Sequence, residues 1–288
     1  MPPSLREVAR PDLTRGARRK ESPSVTARPN TRRDSSLREG ANKHPTQKKE
    51  GIAMSIAENL ARVQANIARA AESAGRDPKE ILLVGATKMN DAARVQEAIA
   101  AGLRCCGENR VQELLEKNGA GAYAGADLHF IGTLQKNKAK YLVGLVSLIH
   151  SVDSEALMRE IGRQSEKRGI VQDILLEVNT GGEASKSGFA PAEVAGALEK
   201  AASVAGIRVR GLMTIPPICR APEENIPYFR LLRQLFIDNG EKKYDNVCMD
   251  FMSMGMSGDY EAAIACGANI VRVGTAIFGQ RHYPEKQA

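Results

Sequence analysis

From residue 81 onwards, short apolar runs alternate eight times with amphipathic helical patterns. Apolar runs without helical spacing are typical of strands buried on both faces of a parallel sheet. The predicted strands cover residues 81–87, 103–106, 128–131, 147–150, 173–178, 207–213, 247–253 and 269–273. Eight such units predict an α/β fold, the (β/α)8 TIM barrel, whose typical size is about 250 residues. A doubly wound sheet is the alternative, but no GxGxxG follows the first strand.

A long amphipathic helix is predicted before the first strand. Leu60, Val63 and Ile67 fall on one face of this helix, and Ser55 with Glu58 has the spacing of a capping box. We therefore expect the barrel to be preceded by a helix that packs one apolar stripe against it.

Residues 1–53 differ in composition from the rest of the chain. They contain 13 Lys and Arg and 6 Asp and Glu, which gives +7, while residues 54–288 contain 28 of each. The body of the chain is therefore neutral, and we expect no nucleic-acid partner. Because residues 1–53 are rich in Pro, Arg and Ser and poor in apolar residues, we predict a disordered basic extension beside a folded domain at 54–288.

Two interpretations of this extension are open. A mitochondrial-type transit peptide is one, although six acidic residues count against it. The other is that the start is misassigned and translation begins at Met54. Residues 48–51 (KKEG) back-translate to purine-rich codons that resemble a bacterial ribosome-binding site shortly before this methionine.

The composition also indicates the cellular compartment of the protein and whether it binds a membrane or a metal. No apolar run reaches the twenty or so residues of a membrane helix, so we expect no membrane partner. The five cysteines show no CxxC spacing, which favours free thiols in a reducing, cytoplasmic compartment. No second histidine lies near a Cys, Asp or Glu at metal-ligand spacing, so we expect no metal.

The first predicted strand, ILLVGATK at 81–88, ends on Lys88. Ligands of parallel α/β folds bind at the carboxyl ends of the strands. An amine in apolar surroundings has its charged form disfavoured, and a neutral amine attacks carbonyl carbons. Taken alone, a solvated lysine that opens a loop is the simpler interpretation, but the following motifs favour a nucleophile.

Two glycine-containing loops follow the seventh and eighth predicted strands, at 253–260 (SMGMSGDY) and 273–279 (VGTAIFG). Ser257 offers a hydroxyl, and Gly274 and Thr275 offer backbone amides. Barrel proteins often bind phosphate at these two loops. Ordinary turn chemistry explains either loop alone, but the pair predicts a phosphate site.

Other polar residues lie near the ends of further strands. Arg272 ends the eighth strand where a ligand ring would lie, with a surface salt bridge as the alternative. Asn109 either holds a ligand hydroxyl or caps the next helix. His129 is more typical of a satisfied core residue than of a catalyst. Lys186, in the loop at 179–188, is interpreted as a mobile loop lysine.

Several segments occur in a fixed order together with Lys88. They are CGENRVQE (106–113), HFIGTLQKNK (129–138), EASKSG (183–188), RGLMTIP (210–216), SMGMSGDYEAAI (253–264) and VRVGTAIFG (271–279). With these motifs the chain resembles, over about residues 54–283, the YggS/PROSC family of pyridoxal 5′-phosphate (PLP) homeostasis proteins. That family is similar to the N-terminal barrel domain of alanine racemase.

The resemblance implies a PLP site at the carboxyl ends of the strands. In it, Lys88 holds PLP as a Schiff base and Arg272 faces the pyridine nitrogen. The other implied residues line the ring pocket (Asn109 and Met213) or hold the phosphate (Ser257, Gly274 and Thr275). The chain departs from the family at Arg110, where family members often have Tyr.

The implied site favours a carrier over an enzyme. Arginine does not readily give up its proton, so it keeps the pyridine nitrogen unprotonated and weakens the ring as an electron sink. Alanine racemase also needs a second domain with a Tyr base, for which the chain leaves no room. We expect a monomeric protein for PLP homeostasis, with PLP-dependent apo-enzymes among its partners. The alternatives are a racemase-type PLP enzyme of weak activity and a cofactor-free Schiff-base aldolase.

Overall fold

The computed structural model describes residues 54–242 and 244–279. Eight parallel strands close into a barrel in chain order, with the first strand beside the last. The strands are β1 (Leu82–Ala86), β2 (Cys105–Glu108), β3 (Asp127–Phe130), β4 (Leu148–Val152), β5 (Gln172–Glu177), β6 (Ile207–Met213), β7 (Val247–Ser253) and β8 (Ile270–Val273). The predicted barrel is confirmed. The predicted extension at 1–53 lies outside the described residues.

Helices surround the barrel and connect its strands. They are α1 (Ile56–Ser73), α2 (Ala92–Ala100), α3 (Val111–Gly119), α4 (Ala139–Leu142), α5 (Glu155–Lys167), α6 (Val194–Ala202), α7 (Ile226–Gly240), α8 (Tyr260–Ala265) and α9 (Thr275–Phe278). At the start of α1, the Ser55 hydroxyl accepts the Glu58 amide, and the Glu58 carboxylate accepts the Ser55 amide. The capping box expected from the sequence is therefore formed.

Strand β2 begins two residues later than the sequence predicts. The Leu103 amide donates to the Ala98 carbonyl and closes the end of α2 instead of joining the sheet. The first backbone bond from β3 is accepted at Arg104, whose carbonyl takes the Asp127 amide. The Leu103 side chain is nevertheless buried against Gly85 of β1, so its hydrophobicity predicts a strand residue before the strand begins.

The core has two layers. The larger layer lies between the sheet and the helices, and a smaller cluster fills the barrel interior. The buried members of the interior cluster are Val84, Ala86, Cys105, Ile131, Leu148, Leu175, Met213 and Ile270. Since alternate residues of a strand share one face, Arg272 points inward with Ile270, and Lys88 continues the inward series of Val84 and Ala86.

Two further observations bear on the sequence-based expectations. Within the described part of the chain, no helix has both the length and the apolarity needed to cross a membrane. All five cysteines are free thiols, and Cys105, Cys106 and Cys266 are buried. Burial raises the pKa of the Cys106 thiol to about 12, so it is not a reactive thiolate near neutral pH.

Candidate functional site

The predicted site residues come from neighbouring strands at one end of the barrel. Ala86 of β1 pairs with Gly107 of β2. Lys88 and Asn109 each lie two residues beyond this last pair, so the two strands deliver them to the same rim. The carboxyl ends of barrel strands are the usual ligand face of this fold.

Lys88, Gly274 and Thr275 line one cavity of about 540 Å³. The cavity lies where the ends of β1 and β8 meet the first turns of α1 and α2, and Ser55 and Arg94 also line it. Its walls carry both signs of charge: Lys88 and Arg94 supply donors suited to an anionic ligand, and Asp91 and Glu97 supply carboxylates. The structure thus brings the predicted nucleophile and two predicted phosphate residues to one space.

Ser257 is joined to the same rim by hydrogen bonds. Its hydroxyl oxygen accepts the Gly274 amide at 3.1 Å and the Ala276 amide at 3.4 Å. A Cβ atom at Gly274 would lie 3.2 Å from both the Cβ and the carbonyl oxygen of Ala86. Close approach of the backbones of β1 and β8 therefore favours glycine at this position.

Asn109 does not cap the following helix. The N-cap of α3 is Arg110, whose side chain makes no capping hydrogen bond. The Oδ1 atom of Asn109 is buried without a hydrogen-bond partner in the structure. Buried polar atoms in native proteins are seldom unsatisfied, so this amide oxygen is available to a ligand.

Arg272 is 4% exposed, so the alternative of a surface salt bridge is wrong. Its Nη1 donates to the Ser253 Oγ at 2.5 Å, and its Nη2 donates to the Thr214 carbonyl at 2.8 Å. Burial lowers the pKa of Arg272 to about 10, which still leaves the guanidinium charged at neutral pH. The fully buried Met213 directly precedes Thr214, so Arg272 and Met213 come from adjoining parts of the interior.

A chain of buried polar side chains continues from Arg272 across the barrel. The Ser253 Oγ lies 2.9 Å from the Nδ1 of His150, and the Nε2 of His150 lies 3.0 Å from the Nδ1 of His129. Burial lowers the pKa of His129 to about 4, against an opposing effect of Asp127. Burial, His129 and Arg272 hold the pKa of His150 well below its usual range. Both rings are therefore neutral, and His129 is the satisfied interior residue that the sequence suggested.

Glu177 adds a carboxyl group at the end of β5. It is buried, and its pKa is raised to about 7 by burial and by Asp153, while Arg272 acts in the opposite direction. A carboxyl group that titrates near neutral pH inside a barrel is a common feature of functional sites.

Lys186 lies in the loop after β5, as predicted, but it has defined partners. Its Nζ is 2.5 Å from the Glu183 carboxylate and donates to the Pro216 carbonyl at 3.0 Å. The loop is therefore tied to the segment after β6.

Sequence reasoning missed the residues that hold Arg272 in place, namely Thr214, Ser253 and His150, and it missed Glu177. His150, Ser253 and Glu177 lie at inward-facing positions of β4, β7 and β5, and Thr214 directly follows β6 and contributes its backbone carbonyl. Ser253 ends the predicted strand at 247–253, and Glu177 lies one residue before the end of the predicted strand at 173–178. His150 ended the predicted strand at 147–150, and a polar residue at the end of an apolar strand was a signal that could have identified it. The carbonyl role of Thr214 has no signature in sequence.

Fold and site together define a barrel of the alanine racemase N-terminal domain type, and the sequence profile of "Alanine racemase, N-terminal domain" matches residues 59–282. A pyridoxal phosphate homeostasis protein of Aquifex aeolicus is 46% identical over 230 residues, covering 80% of this chain and all of the relative. The protein of that name in Escherichia coli K12 is 39% identical and covers 80% of this chain and 99% of the relative. The chain belongs to the family of pyridoxal phosphate homeostasis proteins.

Solved structures agree with this assignment. PipY of Synechococcus elongatus PCC7942, with PLP bound, has a TM-score of 0.68 and 32% identity. The match covers 78% of this chain and all of the PipY chain. The resemblance expected from the motifs, both in family and in fold, is confirmed.

Proposed function

We propose that this protein binds PLP for PLP homeostasis and holds it covalently on Lys88. The observation that carries the proposal is the meeting of Lys88, Gly274 and Thr275 in one cavity. The relatives named for PLP homeostasis and the PLP-bound PipY support the choice of ligand.

The residues present fit the chemistry of PLP. The site offers a lysine amine, a hydroxyl with backbone amides beside a glycine, and a buried charged guanidinium. It also holds an amide oxygen, that of Asn109, buried without a partner. In this proposal Ser257, Gly274 and Thr275 hold the phosphate, and Asn109 and Met213 line the ring pocket. Charge-assisted and backbone contacts of this kind are strong and fixed in place.

When bound, PLP supplies an aldehyde carbon with which the neutral ε-amine of Lys88 can condense, forming a C=N bond and releasing one water. Arg272 would face the ring nitrogen as a donor, because its pKa of about 10 keeps it charged at neutral pH. Two fixed acceptors, Ser253 Oγ and the Thr214 carbonyl, hold the guanidinium in one orientation. A donor at that position leaves no proton on the ring nitrogen, so we propose a carrier that does not turn over amino acids.

Trapping tests the assignment of Lys88. Wild-type protein is incubated with PLP, reduced with borohydride, digested and mapped by mass spectrometry. We expect the pyridoxyl label on Lys88, loss of the label in Lys88→Ala, and an unchanged label in the matched control Lys138→Ala. A label on Lys138 or Lys186 in wild type would overturn the assignment.

Turnover assays separate the carrier from an enzyme. We expect no more than trace racemisation or decarboxylation of amino acids by the PLP-loaded protein. Turnover near the ordinary enzyme median of about 10 per second would overturn the carrier proposal.

We further propose that the protein is a cytoplasmic monomer and that PLP-dependent apo-enzymes receive PLP from it. The neutral charge balance of residues 54–288 and the five free thiols support this setting. Light scattering would measure the mass of the protein. Spectroscopic transfer of bound PLP to an apo-enzyme would test delivery, and transfer no faster than release into buffer would contradict it.

A further inference from the structure

A buried ionic cluster lies behind the ends of β1 and β2, and it is separate from the residues proposed to hold PLP. Its centre is the fully buried Glu108, whose Oε1 accepts from the Thr87 hydroxyl at 2.6 Å, the Lys117 Nζ at 2.8 Å and the Tyr123 hydroxyl at 3.0 Å. Glu113 completes it, with its Oε1 2.6 Å from the Lys117 Nζ. We call Glu108, Glu113, Lys117 and Tyr123 the Glu108 cluster.

The Glu108 cluster holds the backbone on both sides of Lys88. On one side, the Lys117 Nζ donates to the Thr87 carbonyl at 2.8 Å. On the other side, the Met89 amide donates to the Glu113 Oε1 at 2.5 Å. One cluster thus fixes the residue before Lys88 and the residue after it.

Met89 has a backbone conformation that requires such support. Its φ is 62°, and among the described residues it is the one non-glycine residue with positive φ. Such conformations are costly for a side chain with a Cβ and persist when the surroundings over-determine them. The Met89 side chain is 50% exposed, so burial of that side chain does little to hold it. The turn is closed by the Asn90 amide, which donates to the Thr87 carbonyl at 3.1 Å, and Glu113 adds the bond to the Met89 amide itself.

The Glu108 cluster makes contacts outside α3 that the stability of this helix does not require. Glu113 and Lys117 are spaced as an i, i+4 pair on α3, and such a pair is satisfied without any contact to β1. Here both side chains also bond to backbone atoms of the turn at 87–89. Helix stability alone does not account for those bonds, whereas fixing the turn that carries Lys88 does.

We propose that Glu113 is a positioning residue for Lys88, acting through the Met89 amide and backed by Lys117 and Glu108. This inference rests on the proposed role of Lys88 in binding PLP. Lys88 attacks efficiently when its backbone presents the amine at a fixed angle, and small misplacements of reacting groups slow such steps steeply. Without the bond from Glu113, the turn relaxes and the amine samples other positions.

The test uses three full-length variants. Glu113→Ala removes the acceptor for Met89, and Glu113→Gln restores an oxygen acceptor without the charge. Glu116→Ala is the matched control, because it removes the same charge from an exposed position of the same helix. Glu113 is only partly buried, so its replacement leaves the interior of the barrel in place.

Three measurements distinguish positioning from a general effect on folding. The first is the rate at which Lys88 acquires the borohydride-trapped PLP label. The second is the reactivity of Lys88 towards a small amine-directed electrophile in protein without PLP, followed across pH by mass spectrometry. The third is hydrogen–deuterium exchange at the Met89 amide. Melting temperature is recorded alongside.

In Glu113→Ala we expect labelling of Lys88 on the order of tenfold slower than wild type. We also expect an altered pH profile of Lys88 reactivity and faster exchange at Met89. Glu113→Gln should recover most of the labelling rate, and Glu116→Ala should match wild type. If Glu113→Ala labels at the wild-type rate with an unchanged pH profile, or if Glu116→Ala is slowed as much, the positioning role is wrong. A wild type that carries no label on Lys88 would instead contradict the proposed function.

Discussion

Arg272 donates from Nη1 to the Oγ of Ser253 at 2.5 Å, and the same oxygen lies 2.9 Å from the Nδ1 of His150. The Nε2 of His150 lies 3.0 Å from the Nδ1 of His129, so a buried chain of polar contacts links the guanidinium to two rings. Arginine can only donate, so the Ser253 oxygen accepts from Arg272. A hydroxyl can donate its own hydrogen or accept a second bond, and this choice at Ser253 sets the tautomers of the two histidines.

Ser253→Ala should release Arg272 from this chain. The change leaves a buried guanidinium donor and the His150 ring without their partner, a type of loss that costs about 1–3 kcal/mol. We expect the free energy of urea-induced unfolding to fall by that amount and the absorption spectrum of bound PLP to shift. Ser203→Ala, at the C-cap of α6, is the control for the same side-chain truncation. Equal stability of the two variants would show that Ser253 does not anchor the arginine.

The two histidines should make the protein lose stability in mild acid. Their pKa values are lowered in the folded state, that of His129 to about 4. Between pH 6.5 and 4 the histidines therefore bind more protons in the unfolded chain than in the folded chain. The free energy of unfolding falls as the pH falls through this range. His129→Asn keeps a polar partner for His150 and removes one titrating ring. We expect its loss of unfolding free energy over this range to be shallower than that of wild type, by up to about 1.4 kcal/mol per pH unit. Parallel curves for the two proteins would contradict this.

Much of the barrel could be predicted from the sequence because strand signals are local. Apolar runs and the breakers between them located eight strands, and the pairing of β1 with β8 follows from closure of the barrel. The start of β2 was misplaced because the Leu103 side chain is buried against β1 while its backbone amide closes the end of α2.

The candidate site was less predictable, since its second layer depends on contacts between distant segments. Ser253 and Arg272 are 19 residues apart in sequence, and Arg272 and Thr214 are 58 apart. The Thr214 contact uses a backbone carbonyl, which every residue has, so no residue type signals it. Glu113 likewise acts on Met89 from 24 residues away.

Gly274→Ala should weaken PLP binding more than it weakens the fold. The added Cβ would lie 3.2 Å from Ala86, so β1 and β8 must separate slightly at the point where the phosphate is proposed to bind. We expect a clear rise in the PLP dissociation constant measured by absorbance titration, with at most the 1–3 kcal/mol stability loss typical of overpacking. Gly196→Ala, on α6 and outside the two proposed phosphate loops, is the control, because a Cβ there meets nothing within 4 Å. Equal PLP affinity in both variants would contradict the phosphate assignment.

Deleting residues 1–53 should leave stability and PLP binding unchanged. We propose this because the segment brings a net charge of +7 and few apolar residues. The capping box that starts α1 is formed by Ser55 and Glu58, which the deletion retains. The melting temperature and PLP affinity of the 54–288 protein would test it, and a large fall in either would contradict it. Sequencing the N-terminus of protein from its native source would test initiation at Met54.

Glu177 should affect the pH dependence of the unfolding free energy in the direction opposite to the two histidines, and Glu177→Gln should remove this effect. The pKa of Glu177 is raised to about 7 in the folded state by burial and by Asp153, against the ordinary 4.5. Between these two pH values the folded chain keeps a proton that the unfolded chain releases, so this residue makes stability fall as pH rises from 4.5 to 7. The loss amounts to up to about 3 kcal/mol and is complete above pH 7.

Glutamine keeps the shape of the protonated side chain and cannot lose a proton, so Glu177→Gln lacks this loss. The histidines titrate alike in both proteins, and their effect cancels in the difference between variant and wild type. We expect this difference in unfolding free energy to favour the variant progressively from pH 5 to 7 and then to level off. Glu199→Gln, at an exposed position of α6, should show no such trend. A pH-independent difference for Glu177→Gln would mean that the carboxyl group is already ionised in the folded protein at pH 5, with Arg272 outweighing burial.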